Sequence, residues 1–293
     1  MTDLSLKIDY LSSSIKKLAL QAANKLKDSE PGRNIARFNS IRPIDYMRYA
    51  EFDAILRDLV IEPQMEILDI GSPQWFSIFL AKEYPETQFF YANIIDSELE
   101  PYKTICRALE INNLIYCKED VRNLNFGEQK FDKVISISVI EHIFPKEGGD
   151  FQALKEIKQV LKNRGELLIT IPYKSKKNIL YVNKKVYERA EQKNNFFARE
   201  YDQESFEDLI VNSNFYIKNK LFICEKFGLF ALDYYEYGPG SKVILMKYLF
   251  KIRKLFELIF NKSPEKYLAK SYLSVASQID NRVVNICATL IPN

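Results

Sequence analysis

The chain has 293 residues, 47% of them hydrophobic and 28% charged, with a net charge of +3. That length accommodates one large domain with additions, and that balance excludes a disordered chain. A charge so small gives no ground for nucleic-acid binding, and no run of about 18 apolar residues marks a membrane span.

Residues 1–30 are expected to be helical, ending where Pro31 and Gly32 break the pattern. They carry no basic-then-apolar leader with a small-residue cleavage site. A loop then feeds a helix from about Asp45 to Leu59. From there strands and helices alternate. "EILDI" is a strand, Gln74 to Glu83 a helix, "QFFYANI" a strand, Ser97 to Glu110 a helix and "LIYCKED" a strand. "FDKVISIS" has the continuous apolar run of a strand buried on both faces. The helix Phe151 to Leu161 and the strand "GELLITIP" follow.

Alternation at this period predicts an α/β fold of the Rossmann-like, doubly wound kind. "FYIKNKLFICEKF" and "NRVVNICATLIPN" are expected to close it as an antiparallel pair, giving a seven-stranded, mostly parallel sheet with an antiparallel last strand. The expected organisation is a helical cap over 1–60, a core over 61–240, a helical insertion over 241–280 and a closing core strand over 281–293.

Within the insertion, Ser241 to Lys262 repeats Ile244, Leu245, Leu249, Ile252, Leu255, Phe256 and Ile259 at helical spacing. Lys247, Lys251, Arg253 and Lys254 stand between them. Such a helix either packs on the domain or meets a membrane surface or a lipid-linked substrate. Cys106, Cys117, Cys224 and Cys287 form no C-x-x-C pair and have no neighbouring His, which suits reduced thiols of a cytoplasmic protein better than a metal site.

In an open parallel sheet the ligand lies beyond the carboxyl ends of the strands, so the turn Asp69 to Trp75 after the first strand faces the expected site. The stretches "YCKEDVRNLNFGEQKFDKVISISVIEHI", "ALKEIKQVLKNRGELLITIP" and "REYDQESFEDLIVNSNF", in that order, resemble the class I S-adenosylmethionine-dependent methyltransferases. The resemblance runs from about Ile67 to Phe215. It implies S-adenosylmethionine as cofactor and a small-molecule, glycan or lipid-linked acceptor methylated on oxygen or nitrogen; the low charge and the lack of an N-P-P-Y-type motif leave no nucleic-acid partner expected. Asp69 and Gly71 match the acid and first glycine facing the cofactor's methionine end, and Ser138 a position lining the same portion. Asn93 falls where the family has a ribose-binding acid, and Asp120 with Val121 where it meets adenine.

The chain departs from the family at Pro73 and Trp75, which replace two glycines, and at Asn93, which replaces a carboxylate. Asn93 can still bond a ribose hydroxyl without charge assistance, and Asp96 lies near enough to assist. Ser72, counted with the cofactor-binding residues, is placed to cap the following helix, and Pro73 suits its first turn. Trp75 either fills cofactor space or turns into the core with Phe76, Phe79 and Leu80.

His142, the single histidine, is the candidate catalytic base or else a strand-end residue that holds its loop. Arg42, Tyr46, Arg48 and Tyr49 are either cofactor contacts or a packing face. The Lys-rich stretch Tyr173 to Tyr201 is either a substrate-binding insertion or a solvated one. A non-catalytic binding or assembly protein keeping this fold is the alternative function, and an RNA methyltransferase a weaker third.

Overall fold

In the computed structural model, residues 4, 6–183, 185–186, 194–226, 255, 264–279 and 282–293 are described. Three helices come first: α1 (Leu6–Lys25), α2 (Arg33–Ile41) and α3 (Tyr46–Asp58). The alternating core follows as β1 (Glu66–Ile70), α4 (Gln74–Glu83), β2 (Gln88–Asn93), α5 (Glu100–Ala108), β3 (Leu114–Lys118), β4 (Phe131–Ile137), α6 (Gly149–Val160) and β5 (Leu161–Pro172). After it come β6 (Asn178–Val182), β7 (Asn195–Glu200), α7 (Gln203–Asn212), β8 (Phe215–Glu225), α8 (Glu265–Tyr272), β9 (Leu273–Ala276) and β10 (Val283–Pro292).

The main sheet has the order β3-β2-β1-β4-β5-β10-β8-β9. β1 to β5 are mutually parallel, β10 is antiparallel to both β5 and β8, and β9 is antiparallel to β8. The expected doubly wound sheet and its closing antiparallel pair are therefore present, but with eight strands rather than seven. The added strand is β9, whose four residues are all buried at the sheet edge. It lies in the segment read as a helical insertion, and four residues are too few for a period of two to show. α2 is a second departure: a loop was expected there, and only Ala36 of its nine residues is buried. The basic stretch 241–262 lies outside the described residues except for Leu255.

Helices cover both faces. α1 to α5 and α8 bury one apolar cluster against the sheet, and α6 and α7 bury the other. Phe76 of α4 stacks on Phe52 of α3 with ring centroids 4.6 Å apart, which joins the N-terminal helices to the core. Strand order reverses between β1 and β4, so the carboxyl ends of these two strands border the crevice where such folds take ligands. Among the described residues no helix is long and apolar enough to cross a membrane. Phe76 is fully buried, so Phe76→Ala is expected to lower stability by about 3–5 kcal/mol. Urea denaturation checks this, and a loss below about 1 kcal/mol would mean the stack does not join the two parts.

Candidate active site

The turn after β1 is shaped by one glycine and a set of buried hydrogen bonds. Gly71 has φ +63°, a left-handed conformation, and a Cβ there would stand 3.3 Å from both methyls of Val139. Its N–H donates to the Ala92 carbonyl at 3.0 Å. The Asp69 carboxylate accepts from the Ser72 N–H at 3.1 Å and from the Ser77 hydroxyl. Ser72 Oγ accepts from the Ile137 N–H at 3.0 Å, and the Ser72 carbonyl accepts from the Tyr91 hydroxyl at 2.7 Å. Ser72 therefore does not cap α4: its oxygen ties the turn to β4, and the cap position falls to Pro73, which makes no side-chain cap. Burial pushes the Asp69 carboxyl up to about 6, against the lowering effect of the bonds from Ser72 and Ser77.

Trp75 turns away from this crevice. It is buried in the core on the α4 side, edge-on to Tyr102 at 6.4 Å. The ring thus packs rather than filling cofactor space.

A cleft of about 250 Å³ opens at the carboxyl ends of β1, β2 and β4, and Gly71, Asn93, Asp120, Val121, Ser138 and His142 all line it. Asp69 and Ser72 lie beneath the turn and are not among its walls. Asn93 Oδ1 accepts from the Ile95 N–H at 2.9 Å, and its Nδ2 stands 3.4 Å from the Glu98 carboxylate. The acid beside Asn93 is therefore Glu98 and not Asp96, because the short 3-10 turn Asp96–Glu98 carries the later residue back over the strand end. The Asp120 carboxylate holds Arg122, whose NH1 donates to the Phe144 carbonyl at 2.8 Å. Hydrogen bonds from Arg122 hold the Asp120 carboxyl below the usual carboxylate range.

Behind Ser138 lies a polar group that sequence reasoning missed. Glu51 of α3 is fully buried. Its carboxylate accepts from the Ser138 hydroxyl, from Thr170 Oγ1 at 2.9 Å and from Asn285 Nδ2 at 2.9 Å, and it pairs with Arg48. An acid inside an amphipathic helix reads as solvated, and only the neighbouring strand ends reveal its partners. Of the other N-terminal residues considered, Tyr46 donates to Glu225, Arg42 pairs with Glu265, and Tyr49 is bonded to Ser12. Those three join elements of the core. Arg48 pairs with Glu51, whose carboxylate meets Ser138 and Thr170 at the ends of β4 and β5.

Glu141 and His142 sit in the 3-10 turn Ile140–His142 that follows β4. His142 Nδ1 is 2.7 Å from the Phe197 carbonyl oxygen, and its Nε2 is 3.7 Å from Glu141 Oε1. Glu141 is buried, and its Oε2 has no hydrogen-bond partner among the described residues. Burial pushes its carboxyl from the ordinary 4.5 up to about 8, and the nearby Glu51 carboxylate adds to the rise.

A methyltransferase-domain family model matches residues 61–219, more than half of the chain. Among curated proteins no sequence matches. Among solved structures, the [4+2]-cyclase SpnF superposes with a TM-score of 0.52 at 12% identity, covering 95% of this chain and 93% of that one. Coclaurine N-methyltransferase, solved with N-methylheliamine and SAH, gives 0.51 at 12% identity over 91% of this chain and 74% of its own. An O-methyltransferase from a trans-AT PKS multienzyme of Brevibacillus brevis, in complex with S-adenosyl-L-homocysteine, gives 0.51 at 12% identity over 89% and 74%. At such identities the likeness is one of fold.

The raised Glu141 pKa has a stability consequence. A carboxyl that binds its proton more tightly when folded stabilises the fold below its unfolded pKa and loses that contribution as pH rises to about 8. Wild type is therefore expected to weaken relative to Glu141→Gln between about pH 5 and pH 8, by up to about 1.4 kcal/mol per unit. Urea midpoints of both proteins across that range test it, and parallel curves would refute the shift.

Proposed function

The chain belongs to the methyltransferase-domain family, and from that premise we propose that it is an S-adenosylmethionine-dependent methyltransferase acting on oxygen or nitrogen of a small-molecule, glycan or lipid-linked acceptor. The observation that carries this reading is the convergence of Gly71, Asn93, Asp120, Val121, Ser138 and His142 on one cleft at the strand-order reversal. The cleft has the features the cofactor needs. The positive φ of Gly71 and its lack of a side chain let backbone approach a ligand closely. Asn93 offers an amide to a diol, with the Glu98 carboxylate beside it but outside the cleft's lining, and Asp120 with Val121 offers an acceptor and an apolar edge to a purine. Ser138, backed by Glu51 and Arg48, would meet the amino-acid end.

When bound, S-adenosylmethionine supplies an electrophilic methyl on a sulfonium. The chain's own part is to hold the acceptor in line and to receive its proton. His142 is assigned that proton, at Nε2. Glu141 Oε1 stands 3.7 Å from that nitrogen, near enough for its charge state to influence the ring's basicity. Asp69 and Ser72 shape the turn from beneath.

The non-catalytic alternative rested on the altered turn and on the absent second-strand acid; a turn held by Asp69 and Ser72 weakens the first ground, and the Glu98 carboxylate beside Asn93 weakens the second. No disulfide joins the four cysteines among the described residues, which supports a reducing compartment and so a cytoplasmic location. Peripheral contact with the inner membrane surface rests on the sequence of 241–262 alone.

Isotope-labelled S-adenosylmethionine, incubated with panels of hydroxyl- and amine-bearing acceptors, tests the reading. Transfer to at least one class is expected, and none across the panels would count against it. With that acceptor, His142→Asn keeps an N–H to offer the Phe197 carbonyl but has no base. Its kcat is expected to fall about 10²–10⁴-fold. Undiminished turnover would leave His142 as a residue that only holds its loop.

A further inference from the structure

The Lys-rich stretch after β5 contains a two-stranded hairpin, β6–β7, and β7 packs against the turn that carries Glu141 and His142. Two residues of β7 make the connection. Arg199 is buried, and each of its guanidinium nitrogens has a partner. NH1 donates to the carbonyls of Glu141 at 3.2 Å and Ile143 at 2.9 Å. NH2 donates to those of Pro145 and Lys146, both at 2.7 Å, and Nε lies 3.2 Å from the Asp150 carboxylate. Asp150 also accepts from the Tyr201 hydroxyl at 2.7 Å. One residue thus gathers four carbonyls of the segment 141–146, which requires the planar five-donor fork of arginine. The three donors of a lysine on a single nitrogen cannot reproduce it.

Two positions earlier in the same strand, the Phe197 carbonyl oxygen faces His142 Nδ1 at 2.7 Å. A carbonyl only accepts, so Nδ1 carries the proton, and in the neutral ring the lone pair is on Nε2. The Phe197 ring also lies against the imidazole, with centroids 4.8 Å apart. The register that brings Phe197 to His142 is the one in which Arg199 grips the backbone on either side of it.

We propose that Arg199 is a positioning residue: by clamping residues 141–146 onto β7, it holds His142 in the tautomer whose basic nitrogen is Nε2. The hairpin thereby belongs to the catalytic apparatus without touching the reacting atoms. The role in methyl transfer rests on His142 being the base proposed above, while the clamp itself is measurable without turnover.

His142 is the single histidine of the chain, so ¹⁵N-histidine labelling reports one ring without assignment ambiguity. In the full-length protein, at a pH where the ring is neutral, wild type is expected to show a protonated Nδ1 and an unprotonated Nε2. Arg199→Lys keeps a cation opposite Asp150 but gives up the fork, and it is expected to shift population toward the Nε2–H form. An Nε2–H ring in wild type would overturn the proposal whether or not the variant folds. An unchanged tautomer in a variant shown to be folded by circular dichroism would overturn the role of Arg199. A shifted tautomer upholds the clamp even if His142→Asn retains full turnover, a result that would remove only the assignment of the base.

Discussion

The turn after β1 is organised around the buried carboxylate of Asp69. It sits under the turn and binds the Ser72 N–H and the Ser77 hydroxyl, so the chain reverses in a fixed way from β1 into α4. Ser72 then anchors the same turn to β4 and β2 through Ile137 and Tyr91. Once these bonds set the path, one residue alone, Gly71, has to take a left-handed φ close to Val139. Pro73 and Trp75 can follow because neither is asked to approach the cleft. The proline stands at the α4 cap, and the indole packs edge-on to Tyr102. A motif with missing glycines is thus compatible with a formed site, because hydrogen bonds supply the constraint that glycines elsewhere leave to backbone freedom.

A second buried carboxylate, Glu51, plays a comparable part across the cleft. Buried ion pairs add little net stability over apolar packing, since desolvation offsets attraction, but they penalise any other arrangement heavily. Glu51, with Arg48, Ser138, Thr170 and Asn285, therefore fixes where α3 lies over the ends of β4, β5 and β10. Ser138 has φ +51°, and its N–H donates to Thr170. Arg199 does the same for the loop beyond β4. The turn after β1, the end of β4 and the loop beyond it are thus each held by a buried charged side chain, Asp69, Glu51 and Arg199 in turn.

The fold was largely legible in the sequence because its signals are local. Apolar runs marked the parallel strands, and the helix expected over Gln74 to Glu83 is α4 to the residue. What escaped was set by tertiary context. β9 is too short to show a period, α2 buries a single residue of its nine, and the β6–β7 hairpin lay hidden in a run of lysines. The site divides in the same way. Gly71, Asn93, Asp120 and Ser138, which the family resemblance pointed to at or beyond strand ends, line one cleft. Glu51 and Arg199 were not singled out, since a charged residue in an otherwise ordinary helix or strand reveals its burial only through partners far away in sequence. Glu98 in place of Asp96 turned on the path of a single 3-10 turn.

Titration calorimetry of the wild-type chain with S-adenosylhomocysteine tests most directly whether a turn held by Asp69 and Ser72, with one glycine, makes a working cofactor site. Saturable binding of one ligand per chain is expected, with a dissociation constant on the order of 1–100 µM. The absence of saturable heat at ligand concentrations of about 1 mM would contradict the account.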